Sequence, residues 1–154
     1  MSLERLVSML ALGLLGCGGA TAAAEAPSTS QLTPGQQCLE DAAAPREPNP
    51  SAPSRMVLRH ILVRHAELSD PRGATRSAEQ ACLRALEALT ALEAGSSWEN
   101  AVATYSDSND DELGRVAHDQ LSPRFADAAF ALEVNQLSYV VESDRGFHVI
   151  LRQR

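Results

Sequence analysis

Residues 56–154 are predicted to form one α+β domain, with helices packed against a small mixed or antiparallel sheet, and three observations in the sequence predict it. The segments "MVLRHILVRH" and "FHVILR", at the two ends of this region, alternate apolar and polar residues and are rich in branched side chains, so they read as strands. Between them lie stretches whose apolar residues recur at helical spacing. The chain then closes on two extended segments joined by "SDRG", a composition that makes a turn.

In order, the first strand is followed by a polar loop, "AELSDPRGAT". Ser77 and Gln80 match a capping box, and "EQACLRALEALTALEAG" sets Cys82, Ala85, Leu86 and Leu89 on one stripe before Gly95 ends the helix. Ser97 opens a second, shorter helix with Trp98, Ala101, Val102 and Tyr105 at i, i+3, i+4 and i+7. "LGRV" is a short strand. Ser122-Pro123 supplies N-cap and N1 of a third helix, with Phe125, Ala128, Ala129 and Leu132 as its apolar stripe. "LSYVVE", "SDRG" and "FHVILR" make the terminal hairpin, and the first and last strands, the most apolar, are the expected central pair.

Upstream the composition changes. Residues 6–16, "LVSMLALGLLG", are an apolar run too short to span a bilayer and preceded by Arg5, so residues 1–16 read as a signal peptide. The run ends in "LLGC", which resembles the lipobox of bacterial lipoproteins. Leu14, Gly16 and Cys17 fit that pattern, Leu15 is bulkier than its usual occupant, and Cys17 would be the lipidated residue. The alternative is an ordinary secretory signal cleaved near "ATAAA". Residues 18–55 contain no Val, Ile, Phe, Tyr or Trp and hold prolines among Ala, Ser, Thr, Gln and Glu, so 17–55 is expected to be a disordered tether. The anchor implied by Cys17 would place the domain on the periplasmic side of the cell envelope. Gly18 in place of aspartate favours the outer membrane over the inner.

The net charge of −7 and the absence of a basic stripe argue against nucleic acid as a partner. With Cys17 lipidated, Cys38 and Cys82 remain as a possible pair in an oxidising compartment, although one falls in the tether and the other in a helix. No segment sets an oligomeric state, and a monomer is the expectation.

Two strand histidines carry the functional reading. In a period-2 strand His60 shares a face with Leu58 and Leu62, and His148 shares one with Ile150. A half-buried imidazole with an unpaired nitrogen costs roughly 1–3 kcal/mol, so each needs partners. His60 and His148 are predicted to belong to one polar network; two unrelated core histidines are the plainer alternative. A metal site of His60, His65 and His148 is not expected, because His65 falls on the opposite strand face and no Cys or Asp at ligand spacing completes the set.

The motifs "RHILVRH", "YSDS", "LGRV", "LSPRFADAAFAL" and "GFHVILR", in this order over nearly all of 56–154, resemble the parvulin-type peptidyl-prolyl cis-trans isomerases. The resemblance implies a parvulin-like four-stranded, mostly antiparallel sheet flanked by three or four helices. It implies that His60 and His148 are the paired histidines beneath the substrate, that Leu113, Leu121 and Phe125 wall a proline pocket, and that Gln120 lies beside it. Ser108 stands where the family has cysteine or aspartate; only "NDDE" separates it from Leu113, a shortened loop, so Asn109 and Asp110 are alternative occupants of that place. Arg64 and Arg72 are offset by Glu67 and Asp70, so specificity for phosphoserine before proline is not expected. No cofactor or metal is implied. The implied function is isomerisation of X-Pro bonds in unfolded or extended polypeptides during extracytoplasmic folding; the alternative is a peptide-binding or chaperone module of the same fold without turnover.

Overall fold

The computed structural model describes residues 31–154, so the expected signal peptide, Cys17 and the first part of the expected tether lie outside the described residues. The elements run α1 (Pro34–Ala43), β1 (Arg55–Val63), α2 (Ala78–Glu93), α3 (Trp98–Tyr105), β2 (Glu112–Ala117), a single 3₁₀ turn (His118–Gln120), α4 (Pro123–Phe130), β3 (Val141–Ser143) and β4 (Gly146–Arg152). They build one four-stranded antiparallel sheet in the order β2-β1-β4-β3, with the first and last strands at its centre.

Strand alternation divides β1 and β4 between two cores. Ile61, Val63, Phe147 and Val149 pack on Ala81, Cys82, Ala85, Ala88 and Leu89 of α2 and on Trp98 and Ala101 of α3. Met56, Leu58 and Ile150, on the other face, meet Phe125, Ala128, Ala129 and Phe130. Each fully buried aliphatic or aromatic side chain contributes roughly 1.5–3 kcal/mol, so the central strand pair is held from both sides. His60 and His148 belong to the second face, against Phe125 in the first turn of α4.

Local chemistry sets the helix starts. Ser77 and Gln80 form the expected capping box of α2, and the Ser97 side chain accepts from the Asn100 N–H at the start of α3. Pro123 occupies the first turn of α4, whereas the Ser122 hydroxyl makes no capping bond. Gly146 opens β4 with φ +129°, and a Cβ there would lie 2.4 Å from the Val63 carbonyl oxygen, so only glycine admits this approach of the hairpin to β1.

The tether expected over 17–55 is corrected within its described part. Residues 34–43 are helical, opened by a capping box between Thr33 and Gln36 with Pro34 in the first turn. The helix is joined to α2 by a Cys38–Cys82 disulfide and buries Ala42 in the first core. Downstream, the Asn49 N–H donates to the Phe130 carbonyl at 3.0 Å, and Ala52 packs on the second core. A covalent link and small buried side chains supply what large apolar residues do not. The terminal hairpin is also shorter than "LSYVVE" suggests. β3 begins only at Val141, because the Ser138 hydroxyl accepts from the Ile150 N–H at 2.9 Å and takes a place that a strand carbonyl would fill.

Candidate active site

His60 and His148 stand on the two central strands but are not cross-strand partners. His60 is paired with Ile150 and His148 with Leu62, so the two histidines are diagonal neighbours on one face. Their ring planes lie within 15° of parallel with centroids 5.2 Å apart, and the two Nδ1 atoms lie 3.1 Å from each other. Both are buried, at 6% and 2% exposure.

The network fixes which nitrogen carries each proton. His60 Nε2 lies 3.0 Å from the Asp110 carbonyl oxygen, which can only accept, so this nitrogen bears hydrogen. In a neutral His60 the Nδ1 is then an acceptor, and His148 Nδ1–H donates to it. His148 Nε2, 2.7 Å from Ser143 Oγ, accepts the serine hydroxyl, and Ser143 Oγ in turn accepts from the Arg145 N–H at 3.0 Å. Burial keeps both imidazoles uncharged. It holds His60 below its ordinary value of 6.5 against the opposing pull of the Asp110 carbonyl. Burial, with the neighbouring His60 second, holds His148 well below that value.

Above this pair opens a cavity of about 350 Å³ lined by His60, Leu113, Gln120, Leu121, Phe125 and His148, with Val116, Ser122 and the turn residues 143–145 at its margin. That volume is at the lower end of the range for ligand pockets, roughly 300–1,000 Å³. Phe125 stands with its ring edge-on to both imidazoles, at centroid distances of 5.9 Å from His60 and 4.9 Å from His148. It is 5% exposed, so it is both core and wall. Leu113 reaches the cavity through a bulge: Leu58 pairs with Gly114 and Arg59 with Glu112, leaving Leu113 as the extra residue of β2. Gly114 follows at φ +65°, which explains the "LG" pair in the sequence. The Gln120 Oε1 accepts the Ala117 N–H at 2.8 Å, which leaves its amide hydrogens for a ligand.

The structure therefore brings together six of the sequence-derived residues and sets Ser108 apart. Ser108 lines a second, polar hollow of about 400 Å³, shared with His60, Leu113, Asp144 and Arg145 and flanked by Arg64, Asp70, Arg72 and Asp110. Its hydroxyl donates to the same Asp110 carbonyl, at 3.2 Å, that His60 contacts. Asp110, through its backbone, occupies the place next to His60, while His65 packs on Phe147 with ring centroids 5.5 Å apart, away from the pair. Sequence reasoning missed Ser143 and Arg145; the signal was available, since both lie in the "SDRG" turn, which only Phe147 separates from His148.

A family model described as Rotamase, PPIC-type PPIASE domain, matches residues 60–154. The peptidyl-prolyl cis-trans isomerase pin1 of Schizosaccharomyces pombe is 35% identical over 124 residues, covering 74% of this chain and 70% of that protein. The foldase protein PrsA of Halalkalibacterium halodurans is 36% identical over 70 residues, which is 42% of this chain and 21% of the foldase. The crystal structure of the PPIase domain of TbPAR42 superposes with a TM-score of 0.58 at 25% identity, covering 64% of this chain and 99% of that one.

Proposed function

This chain belongs to the PPIC-type peptidyl-prolyl cis-trans isomerases, and from that premise we propose that it rotates X-Pro bonds of unfolded or extended polypeptides in the cavity above His60 and His148. The observation that carries this reading is the placement of a largely apolar cavity directly over a neutral, fully hydrogen-bonded histidine pair.

The amide barrier is roughly 18–20 kcal/mol because nitrogen shares its lone pair with the carbonyl, and uncatalysed X-Pro isomerisation takes tens to hundreds of seconds. No bond is made or broken, so the task is to bind the twisted amide better than either planar form. Leu113, Leu121 and Phe125 grip the proline ring. The Gln120 amide donates to a substrate carbonyl and holds one side of the bond still. The uncharged imidazole floor keeps charge and ordered water away from the prolyl nitrogen, whose lone pair localises as the amide twists. Ser108 acts at one remove, by fixing the Asp110 carbonyl.

The setting follows from upstream features. An apolar segment at 6–16, Cys17 in "LLGC" and a disulfide between Cys38 and Cys82 support a lipid-anchored, extracytoplasmic enzyme on the periplasmic side of an envelope membrane. The similarity to a protein named foldase supports a role in folding exported chains. Among the described residues no helix is long and apolar enough to cross a membrane, so the anchor would lie upstream of them. The activity is tested by exchange NMR on X-Pro peptides with the full chain and with Phe125→Leu. The setting is tested by labelling cells with a fatty acid probe, which Cys17→Ser should abolish.

A further inference from the structure

Asp111 has no part in the cavity and yet is the most heavily bonded carboxylate near it. Its Oδ2 accepts from Trp98 Nε1 at 2.8 Å and from Arg59 Nε and Nη2 at 3.0 and 2.7 Å. Burial would raise this carboxyl, and the hydrogen bonds from Trp98 and Arg59 outweigh it, so the group is held below the ordinary carboxylate range. Glu99 adds a second anion on Arg59 at 3.1 Å, and the Arg59 guanidinium lies over the Trp98 ring. Arg59 is on the face of β1 that packs on α2 and α3, so this clasp lies behind the sheet from the histidines.

What the clasp holds is the run from Ser106 to Asp111, which is tied alongside β1. The Leu62 N–H donates to Ser106 Oγ, the Asp107 N–H to the Leu62 carbonyl, and the His60 N–H to the Asp111 carbonyl, at 3.3, 2.7 and 2.8 Å. The carbonyl that His60 Nε2 faces is that of Asp110, and it belongs to the same peptide plane as the Asp111 nitrogen. Fixing Asp111 on one side by its carboxylate and on the other by its carbonyl fixes that plane. The plane in turn decides that His60 carries its proton on Nε2. With that plane loosened, the hold on the Nε2–H tautomer weakens, and a proton moved to His60 Nδ1 forces the chain through His148 and Ser143 either to reverse its sense of donation or to break.

We propose that Asp111, clasped by Arg59 and Trp98, is a positioning residue that sets the tautomer of His60 through the Asp110 carbonyl and so keeps the floor of the site assembled. This rests on the reading that the histidine pair serves the isomerisation. The test is ¹⁵N NMR of the imidazoles beside peptide exchange kinetics on the wild type, Asp111→Asn and Asp111→Ala. The wild type shows His60 protonated on Nε2 and His148 on Nδ1. Asp111→Asn, which keeps an oxygen for Trp98, retains that pattern. Asp111→Ala shifts His60 towards Nδ1–H, and kcat falls about tenfold while KM, set by the apolar walls, stays within about twofold. Should Asp111→Ala not fold, Trp98→Phe removes one clasp donor and keeps the packing, with a smaller shift in the same direction. A His60 that stays protonated on Nε2 in the folded variant overturns the proposal and leaves the pocket reading standing. A changed tautomer with unchanged turnover overturns the role of the histidine pair itself, and the proposal with it.

Discussion

His60 and His148 meet Nδ1 to Nδ1 at 3.1 Å across a diagonal of the central strand pair, and this contact closes a chain that runs from the Asp110 carbonyl to the Ser143 hydroxyl. A chain with one sense of donation has no slack. A proton added to His60 goes to Nδ1 and opposes the bond between the rings, whereas one added to His148 goes to Nε2 and opposes the bond from the Ser143 hydroxyl.

Acid should therefore destabilise the fold at a mild pH. Both native histidines titrate below 6.5, so on acidification the unfolded chain binds protons before the native one does. The stability carried by the neutral pair is fully present above 6.5 and is lost as pH falls from there through the lowered native values. Urea melts between pH 8 and pH 5 check this, with His148→Leu expected to flatten the profile. A wild-type profile as flat as that of the variant would contradict the assignment.

Ser143→Ala removes the donor to a buried imidazole nitrogen and should cost roughly 1–3 kcal/mol. Ser143→Thr keeps the hydroxyl and should restore most of it. Denaturant midpoints of the three proteins measure both effects.

The disulfide joins residues separated by 44 positions, a loop for which the chain-entropy account gives about 4 kcal/mol. Reduction, or Cys38→Ser, should lower stability by some 2–4 kcal/mol while leaving the cavity walls in place, since α1 contributes none of them. Melts with and without reductant, beside peptide exchange on the reduced protein, separate the two effects.

Much of this was legible in the sequence, for identifiable reasons. Alternation in "LRHILVRH" and "FHVILR" is strong enough to name the central strands, and it put His60 and His148 on definite faces. The family motifs then supplied the walls Leu113, Leu121 and Phe125. The segment after Thr33 departs from its expectation because composition weighs large apolar residues, whereas α1 is held by Cys38, Ala42 and a Thr33-Gln36 capping box that the sequence displays. Ser138 differs from its expected place in a strand for a related reason: a hydroxyl that substitutes for a strand carbonyl looks, in sequence, like any strand residue. The bulge that turns Leu113 inward is written only as a glycine after a leucine, and Asp111 is one of several acids in "NDDE" until the fold brings Arg59 and Trp98 to it.

Phe125 carries the central claim, because it forms the cavity wall that stands edge-on to both histidines. Phe125→Leu conserves most of the buried volume and should cost less than about 1.5 kcal/mol, whereas truncation to alanine would cost roughly 3–5 kcal/mol. Exchange NMR on a proline peptide with the folded Phe125→Leu protein is the most direct measurement. The account predicts a stable protein with proline turnover reduced to near the uncatalysed rate; wild-type turnover in that protein would show that the isomerisation takes place elsewhere.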